Sequence, residues 1–198
     1  MSRRERNKAD TRERVFRAAR ALFAERGFDR TTVRQIAEEA EVGTGTVLLH
    51  GGSKTGLLVE LWTDELQQVI DRQSATLPPD ASLLDELVHL LGGFFEIYAA
   101  HPELSRVYVQ HTLLLPHEEL RAYDEMTTGF LEIVAGRVRA HRDELDPRID
   151  AGTVAMSAFG LYLVHVSAFL RSPVDPAPAV AVLRDTLTRW LAPITQPS

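Results

Sequence analysis

Residues 31–50, TTVRQIAEEAEVGTGTVLLH, constrain this chain more than any other stretch. Val33, Ile36 and Ala37 put apolar groups on one helical face, Glu38, Glu39 and Glu41 form a polar shoulder, and Gly43 permits a turn. Residues 44–50 can then make a second short helix. Two helices this short bury too little surface to stand alone, so the fold must carry them on a larger support. The pattern reads as a helix-turn-helix.

The helix starts are marked. Thr32 followed by Gln35 is a capping box, and Ser53 caps the next helix, although Gly56 stands where a reciprocal Glu or Gln would be expected. Helix N-termini concentrate unsatisfied N–H groups, so Thr32 and Lys54 are placed to meet backbone phosphates. The helix between them enters the groove in this reading, with Thr44, Gly45, Thr46, Leu49 and His50 at base edges or the groove rim.

These residues carry a resemblance. Gly27-Phe28, Thr31-Thr32-Val33, Ile36-Ala37, Ala40, Val42 and Gly45-Thr46-Val47, continued by His50, Ser53, Lys54 and Leu57-Leu58, are similar to the N-terminal domain of TetR-family transcriptional regulators. The likeness covers about the first 60 residues, and the rest resembles the family in length and helical character. It implies a homodimer on a palindromic operator, more often a repressor, that responds to a small ligand bound in its body. Two positions depart from the usual pattern: Leu48 stands where an aromatic residue is common, and Gly51 where Phe usually follows the His.

A net charge of −6 argues against a polyanionic partner until it is divided along the chain. Residues 1–56 hold 12 Lys+Arg against 8 Asp+Glu, and the remainder 10 against 20. A basic head on an acidic body binds phosphates only where the head meets them. The absence of cysteine in 198 residues excludes disulfide and thiolate chemistry. No apolar run follows the N-terminal Arg3-Arg4, so no signal peptide is expected and the cytoplasm is the expected location.

Arg3, Arg4, Arg6 and Lys8 read as a basic arm, either solubilising or reaching for DNA, ahead of a cap at Asp10 with Glu13. Val15, Ala18, Ala19, Leu22 and Phe23 fall at helical spacing up to Gly27. A long helix from Ser53 carries Leu57, Leu58, Leu61, Trp62 and Leu66 along one side and stops before Pro78-Pro79. It is either a mechanical link into the body or core packing alone. Ser82 caps a helix to about Ala100, which His101-Pro102 breaks, and further helices are expected over about 103–114 and 117–141. No segment alternates with period two, so the chain reads as all-α.

Residues 151–170 contain no Asp, Glu, Lys or Arg and reach the length of a membrane span. Thr153, Ser157, His165 and Ser167, with an acidic surround and no aromatic belt or strong basic flank, favour instead a helix buried by its own bundle and by a partner chain. After a linker over residues 172–178 the last helix carries Val180, Leu183, Leu187, Trp190 and Leu191 as one stripe. The expected twofold contact, of the kind the resemblance implies, uses Ser157, Gly160, Val164, Leu183, Leu187 and Trp190.

No metal-ligand spacing, nucleophile elbow or phosphate loop is present in the sequence, so no metal, cofactor or enzymatic activity is expected. Phe94, Phe95, Tyr98, Tyr123, Phe130, Tyr162 and His165 are either core or the lining of a small-molecule pocket. The expected organisation is a helix-turn-helix DNA-binding domain over residues 1–56 and a helical ligand-binding and dimerisation domain over 57–198. The alternative is a helical small-molecule carrier that keeps the head without operator recognition, for which Leu48 and Gly51 are the motive.

Overall fold

A computed structural model describes residues 2–113, 120–172 and 175–195. The described helices are α1 Arg3–Arg26, α2 Val33–Glu39, α3 Thr44–Gly51, α4 Lys54–Ala75, α5 Leu83–Gly92, α6 Phe94–Ala100, α7 Pro102–Thr112, α8 Arg121–Ala140, α9 Ala151–Phe169 and α10 Pro176–Leu191. The sole β pairing among the described residues is an isolated bridge between Leu145 and Thr195, so the fold is all-α as its periodicity indicates. By compactness the chain forms two units. One holds the residues up to Glu65 with Glu103–Asp124, and the other holds Leu66–Pro102 with the chain from Glu125 on.

In the first unit the cap of α1 falls at Ser2, eight residues ahead of Asp10. Ser2 accepts from the Glu5 N–H and Glu5 Oε2 accepts from the Ser2 N–H, a capping box that draws the basic arm into the helix. Val15, Ala19, Ile36 and Val47 are wholly enclosed, and α1 packs on both α2 and α3. Burying a Val or Ile side chain is worth about 1.5–3 kcal/mol, so these few residues hold two helices that have no stability of their own. Buried Thr31 locks the corner by donating to the carbonyls of Gly27 and Leu22. The turn between α2 and α3 differs from expectation: Glu41 takes the left-handed conformation at φ 53°, and Gly43 is an extended N-cap at φ −75°.

The second unit splits the expected helix over residues 82–100 into α5 and α6 at Gly92-Gly93. A Cβ at Gly93 would lie 2.1 Å from the Gln73 amide nitrogen, so the Gln73 side chain occupies space that glycine leaves open. The helix expected from His117 starts at Arg121, with residues 114–119 outside the described chain. α10 begins at Pro176 inside the expected linker, because Asp175 caps it and a proline at the first helical position forfeits no hydrogen bond. α10 packs against α5 and α9 with Leu183, Leu187 and Leu191 inward.

Candidate nucleic-acid interface

Gly43 starts α3 without a side-chain cap, and the Thr46 and Val47 N–H groups donate to its carbonyl. Val47 pins the helix to the core, which leaves Thr44, Gly45, Leu48 and Leu49 exposed and Thr46 and His50 half-buried at its sides. Burial, then the charges of Arg12 and Lys8, hold the His50 imidazole below its ordinary pKa. At neutral pH α3 therefore carries no charge.

Positive charge lies elsewhere in this unit, with Lys8 and Arg12 near enough to act on His50. Arg3, Arg4, Arg6 and Lys8 are exposed on the first turns of α1, and Arg34 is exposed on α2, paired with Glu38 at 2.9 Å. Thr32 is also at the surface, where its hydroxyl accepts from the Gln35 N–H as the expected capping box. Lys54 has a partner within the head. Its ammonium donates to the Phe28 carbonyl at 2.8 Å and lies 4.1 Å from the centre of the Phe28 ring, so it braces the head. Ser53 accepts from the Gly56 N–H and caps α4 as expected.

In the second unit the aromatic residues pack on one another. Phe94 meets Phe130 edge-on at 5.3 Å and Tyr162 at 5.6 Å, Phe95 meets Tyr162 and Phe169, and the Tyr98 and Tyr162 hydroxyls lie 2.9 Å apart. Phe159 joins the cluster against Tyr162 at 5.7 Å. Phe94, Phe95, Tyr98, Phe130 and Tyr162 thus come together, whereas two other expected lining residues have different partners. Tyr123 belongs to the first unit, 6.0 Å from Tyr108, and His165 meets the Thr186 hydroxyl at 2.9 Å. A separate cleft of about 580 Å³ is lined by Pro78, Val88, His89, Glu96, Val180 and Arg184.

The outward apolar face of this unit also differs from expectation. Leu183 and Leu187 are fully enclosed by their own chain and cannot meet a partner, and Trp190 and Ser157 are half-buried. Met156 and Val164, 58% and 67% exposed, flank exposed Gly160 on α9, and Val182 is 54% exposed on α10. Sequence reasoning missed Leu48, Met156 and Val182. Apolar residues one position off a buried stripe were the only signal for them.

The sequence model of the bacterial regulatory proteins of the tetR family matches residues 15–61, which run from the core of α1 through the turn and α3 into α4. Residues 15–61 are thus similar to the TetR family's N-terminal domain. Among this chain's curated relatives, the Fatty acid metabolism regulator protein of Bacillus subtilis is 28% identical over 123 residues, 62% of this chain and 63% of that protein. The HTH-type transcriptional repressor KstR2 of Mycolicibacterium smegmatis is 33% identical over 88 residues, 44% of this chain and 43% of the relative. The chain thus spans less than two thirds of the length of either. The likeness in fold extends further than these alignments. The structure of Thermus thermophilus FadR in complex with lauroyl-CoA superposes with a TM-score of 0.75 at 23% identity, over 91% of this chain and 93% of that one.

Proposed function

We propose that this chain is a ligand-responsive transcriptional repressor of the TetR family that binds a palindromic operator as a homodimer in the cytoplasm. Residues 1–56 act as its DNA-binding domain and residues 57–198 as its ligand-binding and dimerisation domain. This division by task differs from the division by compactness, because Glu103–Asp124 group with the head. The observation that carries the reading is α3 itself, an outward helix held by one buried valine in a head of net charge +4. Thr44, Gly45, Thr46, Leu49 and His50 approach the bases, while Thr32 and the arginines of α1 meet phosphates and set register. Binding of the purified protein to genomic fragments, with the bound sites sequenced, tests it. A palindrome with half-sites about one helical turn or a multiple apart is expected. Recovery of no common sequence would favour the carrier reading.

The effector in this proposal is small and largely apolar. The aromatic cluster of Phe94, Phe95, Tyr98, Phe130 and Tyr162 supports it, as do the stearoyl-CoA and lauroyl-CoA held by the FadR structures of Bacillus subtilis and Thermus thermophilus. These acyl thioesters are the first probes to titrate. The homodimer rests on Met156, Gly160, Val164 and Val182, which offer a second chain an apolar, charge-free face.

A further inference from the structure

The family role leaves unexplained why α3 turns two leucines outward. Leu48 is 44% and Leu49 76% exposed, beside one another on a helix whose buried anchor is Val47. Thr44 and Gly45 lie one turn back on the same faces, since residues four apart are helical neighbours. Gly45 has nothing within 4 Å of where a Cβ would stand, so no packing within the chain demands glycine there. The four make a narrow apolar strip whose bare backbone at Gly45 admits a close approach from outside.

The surround identifies what covers it. Residues 1–56 carry a net charge of +4, and Lys8 and Arg12 lie near enough to act on His50 of α3, so the occupant that fits presents anionic groups at its edge and apolar groups at its centre. The major groove does this, with phosphates along its walls and the thymine 5-methyl on its floor. Arg or Lys is the usual reader of guanine, and Asn or Gln of adenine; α3, TGTVLLHG, has none of these. We infer that Leu48 and Leu49 are specificity-determining residues that read thymine methyl groups, so each operator half-site is defined at their positions by a methyl rather than by a hydrogen-bond pattern. This rests on the head being a sequence-specific DNA binder.

The test uses the full chain. A duplex selected from a random library is resynthesised with deoxyuridine replacing thymidine at one position at a time, which removes only the methyl. Losing one methyl contact should weaken binding roughly four-fold, the worth of about one buried methylene. Leu49→Ala or Leu48→Ala should abolish the thymidine-over-deoxyuridine preference at one position each and leave the salt dependence unchanged. Both side chains are solvent-exposed, and unchanged thermal melting is the check on folding. Equal affinity for thymidine and deoxyuridine duplexes, or a preference that persists in both variants, overturns the inference while leaving sequence-specific binding in place. Selection that enriches no sequence, or binding to phosphatidylglycerol vesicles in place of DNA, overturns the DNA reading and this inference with it.

Discussion

At the scale of single residues, Glu41 and Gly45 stand in each other's natural places. A left-handed backbone costs a residue with a Cβ about 1–2 kcal/mol, so Glu41→Gly should stabilise the turn by about 1 kcal/mol. In a chain of this size that raises the melting midpoint by about 2–4 °C, which calorimetry reads. Gly45→Ala should also gain stability, by up to about 1 kcal/mol, since its Cβ meets nothing. The same methyl should weaken DNA binding in a fluorescence-anisotropy titration. A variant that melts higher and binds equally well would deny the close approach at this position. Buried Glu86 is a third case. Burial pushes its carboxyl up, but the Arg137 guanidinium at 2.5 and 2.9 Å and the His141 imidazole at 3.1 Å outweigh that and hold it below the ordinary value. Arg137→Met should cost about 3 kcal/mol in urea denaturation at neutral pH, by taking from a buried carboxylate the guanidinium that neutralises it. Because the folded-state pKa is depressed, this stabilisation is present above the unfolded value of about 4.5 and disappears as pH falls through the folded one. The gap between wild type and variant should therefore narrow on acidification.

At the scale of elements, α9 passes the length and hydropathy criteria of a membrane span, yet Val154, Ala155, Ala158, Tyr162 and Val166 are buried against its own unit. Among its exposed residues Met156, Gly160 and Val164 fall one per turn along one line. Such a stripe suits a second copy of the helix, where small Gly160 allows close contact. Val164→Asp should leave the fold intact, because the side chain is 67% exposed, and should shift sedimentation to the monomer. Native protein that sediments as a monomer at micromolar concentration would remove the dimer from the proposal. Leu187→Asp is no test of assembly, since it buries a charge in its own core.

At the scale of the whole molecule, effector and operator must weaken each other equally if the repressor reading holds. A coupling of about 1–3 kcal/mol corresponds to roughly a 5- to 150-fold change in either affinity. Lauroyl-CoA titrated with and without the selected operator measures both sides of the cycle. Binding that ignores the operator would mark it as cargo, because equal affinity for two states shifts neither. Operator affinity itself should fall steeply with salt, as counterion release by the α1 arginines requires.

Much of this was legible in the chain. Local chemistry is written locally, so the capping box at Thr32, the cap at Ser53, the all-α class and the helix-turn-helix followed from spacings of three and four residues. The family resemblance, carried by residues 27–58, was legible for the same reason. Contacts distant in sequence were not. Whether Leu183 and Leu187 faced a partner or their own core depended on where α5 and α9 came to lie, since a single apolar stripe fits either role. That the Lys54 ammonium meets the Phe28 carbonyl depended on a partner 26 residues away. The capping of α1 at Ser2 likewise followed from competition between two possible caps. Periodicity marks which residues avoid water, and only the folded chain decides what they meet instead.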